Sequence, residues 1–79
     1  MKVAVQLFGP LAQEAGRSAF ALTVSGPTVG DVLESLAREM PELRIGPSVR
    51  FAVNAEYARP DHRLKDGDVV ALIPPVGGG

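Results

Sequence analysis

The chain has 79 residues, a net formal charge of −1 and 46% hydrophobic residues, enough for one small packed domain rather than a disordered segment. The charges are interspersed, which gives no basic stripe for nucleic acid, and no apolar run is long enough for a membrane span or a signal peptide, so the expected setting is cytoplasmic. There is no cysteine, which excludes disulfides, thiolate metal sites and a cysteine nucleophile in this chain.

Lys2 to Phe8 alternates, with Val3, Val5 and Leu7 on one face and Lys2, Ala4 and Gln6 on the other, and predicts a strand with a single core face. Gly9-Pro10 breaks it. Pro10 suits the first position of a short helix running through Ala15, and Gly16 suits its stop. Ser18 to Val24 alternates again, with Phe20, Leu22 and Val24 inward, and its closeness in sequence predicts an antiparallel pair with the first strand. After the Gly26-Pro27 turn, Thr28 reads as an N-cap with Asp31 at the capping-box position. Val29, Val32, Leu33, Leu36, Ala37 and Met40 then recur at helical spacing, with Glu34, Ser35, Arg38 and Glu39 toward water and Glu34–Arg38 as an i,i+4 pair. Pro41 ends this helix.

Pro41 to Ser48 reads as loop with Leu43 and Ile45 tucked under. Val49 to Asn54 is the third strand, with Phe51 and Val53 set against Arg50 and Ala52. Asn54-Ala55-Glu56 is a tight turn into a very short return strand at Tyr57 and Ala58. Pro60 to Lys65 is irregular, and Asp66-Gly67-Asp68 turns the chain into Val69–Ile73, an unbroken apolar run that predicts a central strand. One helix against one sheet gives a two-layer α+β domain, and the crossover through the helix returns the later strands to the first pair. That layout is the β-grasp, or ubiquitin-like, arrangement: a mixed sheet on one main helix, in a single domain over 1–79.

Pro74 cannot donate to a ladder and ends the last strand, and Pro75 keeps the exit stiff. Val76 offers one apolar contact, and Gly77, Gly78 and Gly79 carry no side chain to pack. Residues 73–79 therefore read as an extended, flexible Gly-Gly tail. From Pro75 onward it could reach roughly 16–18 Å. Glycine lets backbone enter a slot where a Cβ would clash. The chemical group at its tip is the α-carboxylate of Gly79, ionised near neutrality.

Elsewhere the residues suggest no catalytic constellation. His62 sits between Asp61 and Arg63 in a loop and reads as a surface residue, with no second histidine to complete a metal site. Asp66 and Asp68 flank a turn glycine and read as structural. The glycine run precedes no helix that could present N–H groups to a phosphate. The chain reads as a substrate, carrier or subunit for another protein's active site, and not as an enzyme on its own.

Three stretches carry a family resemblance: Ala52 to Tyr57, Leu64 to Val76 with its Asp-Gly-Asp turn and Pro-Pro-Val approach, and the closing Gly78-Gly79. The opening strand with Phe8 and the short helix ending at Gly16 fit as well. The chain resembles the ThiS/MoaD sulfur-carrier family, in particular the small subunits of molybdopterin synthase. The resemblance implies that an E1-like adenylating enzyme activates the terminal glycine with ATP and that a sulfur donor protein converts the acyl-adenylate to a thiocarboxylate. The tail then enters the large synthase subunit and gives its sulfur to a cyclic pterin precursor, and two transfers build the dithiolene of molybdopterin. Carried over by position, Gly79 is the acceptor, Gly77 and Gly78 thread the channel, Pro74, Pro75 and Val76 set the approach, and Ile73 lies at the partner surface. Gly77 stands where relatives often have another small residue. No cofactor is expected on the chain itself, and the ATP is consumed by the activating partner. The same terminus fits two other readings: a thiamine-pathway sulfur carrier, or a ubiquitin-like modifier joined through Gly79 to a lysine. A β-grasp interaction module with a passive tail is the remaining alternative.

Overall fold

A computed structural model describes residues 1–75. The expectations placed on Val76, Gly77, Gly78 and Gly79 lie outside the described residues.

The elements run β1 (Lys2–Leu7), α1 (Pro10–Ala15), β2 (Ala19–Thr23), α2 (Val29–Glu39), β3 (Arg50–Val53), β4 (Glu56–Ala58) and β5 (Val69–Ile73). The strands form one mixed sheet in the order β2-β1-β5-β3-β4. β1 pairs antiparallel with β2 and parallel with β5, and β3 pairs antiparallel with both β5 and β4. The last strand is thus the central one, as its apolar run predicts. This is the β-grasp layout: a mixed five-stranded sheet with α2 packed on one face.

α1 begins with Pro10, whose fixed φ suits the first turn, and ends where Gly16 takes a left-handed φ of 75° and gives its N–H to the Ala12 carbonyl. α2 opens with the full capping box: the Asp31 N–H donates to Thr28 Oγ1, and the Thr28 N–H donates to Asp31 Oδ2 at 2.9 Å. The alternation of β1 is reproduced, with Val3, Val5 and Leu7 buried and the intervening side chains exposed. The core lies between this face of the sheet and α2: Leu7, Val70 and Leu72 below, Val29, Val32 and Leu36 above, with Leu43 and Leu64 closing its edges. Leu64 is held in place by the N–H it donates to the Pro27 carbonyl, and the adjoining loop accepts from the first turn of α2 through the carbonyls of Pro60 and His62.

Three details differ from the sequence reading. Ser35 is buried and Ala37 exposed, so the core stripe of α2 is rotated toward Val29, Val32, Leu36 and Met40. At 100° per residue both lie on margins of that stripe, Ser35 on the Val32 side, which the fold covers, and Ala37 on the Leu33 side, which it leaves open. No buried side-chain polar atom among the described residues lacks a partner. Glu34 and Arg38 form no ion pair; the one found among the described residues is Arg59–Asp61, at 4.0 Å. Ala52 is buried although it alternates away from the core, because its register neighbours Ala71 and Tyr57 flank it on the opposite face of the sheet.

Candidate functional site

The root of the tail is built outward from β5. Val70 and Leu72 are fully buried and fix the strand from the core side. Leu72 lies between Leu7 of β1 and Phe51 of β3, and Ile73 is in register with Arg50. The next residue, Pro74, is half-buried beside the Phe8-Gly9 turn. Gly9 has a φ of 56°, and a Cβ there would stand 3.5 Å from Pro74 Cγ, so the turn and the proline are in near van der Waals reach. Pro75 is exposed. Of the site residues expected from the sequence, Ile73, Pro74 and Pro75 are thus gathered at one end of the sheet's central strand.

The face of the sheet away from α2 has no covering layer among the described residues. Period-2 alternation puts Val69, Ala71 and Ile73 of β5 on it. Together with Gln6, Phe8, Ala52 and Tyr57 they line a shallow concavity. Phe8 is 48% exposed and Tyr57 76% exposed, large values for aromatic side chains in so small a domain. Phe8, Ala71, Ile73 and Tyr57 thus share one uncovered face of the sheet. The family resemblance puts Ile73 at a partner surface, but the sequence did not show that Phe8, Ala71 and Tyr57 share its face. The available signal was the second face of β5: a two-layer fold has one helix layer, so Val69, Ala71 and Ile73 had nothing on their own side to cover them.

At the opposite end of β5 the Asp-Gly-Asp turn is structural, as expected. Asp66 Oδ1 accepts from the Lys2 N–H at 2.7 Å, and Gly67, at φ 90°, gives its N–H to the Lys2 carbonyl. Asp68 accepts from the Lys65 N–H at 2.8 Å and from the Asn54 amide at 3.0 Å. These bonds favour its ionised form, the Lys65 N–H most, and lower its pKa. His62 is exposed, and no group of three or more potential metal-binding side chains occurs among the described residues. Among those residues no helix is long and apolar enough to cross a membrane.

The profile of the ThiS family matches residues 5–79. The molybdopterin synthase sulfur carrier subunit of Chlamydomonas reinhardtii is 42% identical over 57 residues, which are 68% of this chain and 69% of that protein. Among solved structures, the small archaeal modifier protein 1 (SAMP1) of Methanosarcina acetivorans superposes with a TM-score of 0.83 at 32% identity, covering 99% of this chain and 96% of the other. A chain from the protein–protein complex of subunits 1 and 2 of the molybdopterin-converting factor of Helicobacter pylori matches with a TM-score of 0.72 at 28% identity, covering 100% of both chains.

Proposed function

Because the chain belongs to the ThiS family, we propose that it is the sulfur carrier subunit of a molybdopterin synthase, with Gly79 as the acceptor. The observation that carries the reading is the position of the tail root: the sheet's central strand ends in Ile73-Pro74-Pro75, so a rigid body delivers whatever follows from a fixed point. The name of the Chlamydomonas relative favours molybdopterin over thiamine synthesis as the pathway served.

The chemistry proceeds in two steps on partner enzymes. In the first, an oxygen of the Gly79 carboxylate attacks the α-phosphorus of ATP in the E1-like enzyme and releases pyrophosphate. AMP is then a good leaving group on an otherwise inert carboxylate. In the second, sulfide-level sulfur supplied by a sulfur donor protein attacks the acyl carbon, the bond from that carbon to the AMP oxygen breaks, and AMP departs, leaving a thiocarboxylate. The chain has no cysteine, so no side-chain thiol of its own can carry that sulfur. Gly77 and Gly78 pass through a slot that a Cβ would block, while Pro74, Pro75 and Val76 hold the approach extended. Enclosure in the large subunit keeps water from the activated tip. Acid–base work on the pterin belongs to that subunit, so the chain is not an enzyme on its own and needs no bound cofactor. The apolar face around Phe8, Ala71 and Ile73 is the surface that would meet the large subunit. The Helicobacter structure, a complex of subunits 1 and 2, supports a partner of this type.

The test is the intact mass of the chain after incubation with ATP, the activating enzyme and a sulfur donor. The expected result is one oxygen-for-sulfur exchange, mapped to the C-terminal peptide. Deleting Gly78-Gly79 should abolish it while leaving the unfolding midpoint unchanged, since the core among the described residues ends at Leu72. No exchange with all components active would overturn the reading. The similarity to a small archaeal modifier protein favours one second reading, in which an amine instead of sulfur meets the activated Gly79. Recovery of Gly79 in isopeptide linkage to a lysine would select it.

A further inference from the structure

Two arginines stand side by side on the β3–β4 side of the tail root, and their placement answers no need of the fold. Arg50 opens β3 opposite Ile73. Phe51 pairs with Ala58, so Arg59, the next residue beyond β4, follows on the other side of Arg50. Both line one open concavity with Ser48, Pro60 and Pro75. Arg59 has Asp61 at 4.0 Å, but their side chains are 88% and 84% exposed, and such a pair holds little. Arg50 forms no ion pair among the described residues. Like charges on facing positions of neighbouring strands destabilise a sheet. The fold therefore gains nothing from this pair, yet the pair stands where the arm departs.

We propose that Arg50 and Arg59 dock a carboxylate-bearing rim around the cavity of the large synthase subunit that receives the tail. The inference rests on the carrier reading above and adds the charge chemistry of its partner. Each guanidinium presents a planar donor fork that matches a carboxylate. The neighbouring apolar face of Phe8, Ala71 and Ile73 supplies the desolvated part of the contact, with the arginines as its ionic edge, which is the anatomy of a protein–protein interface. A nucleic-acid partner fits poorly, since two cations beside an apolar face do not track a phosphate backbone and the chain's net charge is −1. Placed at the root, the pair aligns the body as the tail enters, so its effect falls mainly on the rate of association.

The experiment compares the wild-type chain with R50E/R59E and R50Q/R59Q in binding to the large subunit from the same source, by stopped flow at low and high salt. The charge-reversed form should associate about tenfold more slowly at low ionic strength. The glutamine form should fall between, and the differences should shrink near 1 M salt, where the screening length is about 3 Å. Thermal melts of the wild-type and charge-reversed proteins should lie close together, since both keep a like-charge pair at exposed sites, and the glutamine form should melt at or slightly above them. If wild type binds and the reversed form binds as fast or faster at low salt, the arginine assignment falls and the carrier reading stands. If wild type binds no large subunit at all, the carrier reading falls and takes this inference with it.

Discussion

At its Val69 end, β5 is held by side chains. The Val69 N–H donates to Asn54 Oδ1 at 3.0 Å, the Asn54 N–H donates to the Val69 carbonyl at 2.8 Å, and the Asn54 amide also donates to Asp68. Asp66 ties the preceding turn to Lys2 at the start of β1. At its Ile73 end, no side-chain hydrogen bond among the described residues reaches positions 71 to 75, and two prolines remove the N–H groups that could continue the ladder. One strand is thus anchored at its entry and released at its exit. An arm that must reach into a partner needs both conditions: a fixed origin, and no competing attachment to the body it leaves.

The strongest way to break this contrast is to loosen the packing of the whole central strand. Leu72→Ala removes a fully buried side chain from the central strand, between Leu7 and Phe51, and should cost about 2–5 kcal/mol in denaturant unfolding. Its sulfur loading should fall only as far as the folded fraction falls. Loading lost at temperatures where the variant is still fully folded would show that the origin's exact position matters to the activating enzyme.

A finer comparison sets one end against the other. Asn54→Ala deletes both side-chain hydrogen bonds at the entry and places alanine at a φ of 50°, for a cost of about 1–2 kcal/mol. Asn54→Gly keeps the backbone freedom and should lose less. Pro75→Ala at the exit should change stability by no more than about 0.5 kcal/mol. It should instead slow reaction with the partners by loosening the approach. Equal melting shifts for Asn54→Ala and Pro75→Ala would show that the exit is structural after all.

Much of this contrast was legible in the sequence, because its causes are local. The alternation of β1, the Pro10 start and Gly16 stop of α1, the Thr28–Asp31 box, and the Asp-Gly-Asp turn each depend on a few adjacent residues. The unbroken apolar run of β5 announced a central strand, and the sheet order agrees. What local pattern could not give was the use of each surface. Ser35 was read as solvent-facing because it is polar and lies at the margin of the α2 stripe, but tertiary packing covers that margin and leaves the Ala37 margin open. The roles of Phe8 and Tyr57 depend on which strands adjoin, and β4 meets β5 only through β3. Arg50 and Arg59 lie nine positions apart and come together only through the β3–β4 register.

The β3–β4 hairpin offers a smaller test, in the stabilising direction. Asn54 and Ala55 both have positive φ, 50° and 73°, as a tight two-residue hairpin turn requires. Alanine tolerates that region poorly, and Asn-Gly is the favoured pair there. Ala55→Gly should therefore raise stability by about 0.5–1 kcal/mol, read as a higher unfolding midpoint with an unchanged denaturant slope. Because the hairpin carries Asn54 at its entry, the gain would come at the anchored end and leave loading of the tail untouched.

The smallest expected effect is on pH dependence, and it too belongs to the anchored side. Asp68, held by the Lys65 N–H and then the Asn54 amide, and Asp31, held by the Thr28 N–H and then its hydroxyl, both have lowered pKa values. A carboxyl whose pKa is depressed in the folded state contributes stability above its unfolded pKa, near 3.9, and loses it as pH falls through the folded value. The unfolding midpoint should then be flat from neutrality to about pH 5 and decline below about pH 4. Asp68→Asn should flatten the acid limb in part, and Asp31→Asn should flatten it through the cap of α2 instead. Gly78-Gly79 deletion should leave the limb unchanged, since the groups that titrate there grip the entry of β5 and the start of α2. A limb that moved with the deletion would mean that the terminal carboxylate is engaged by the folded body, and the released exit on which the carrier reading depends would be lost.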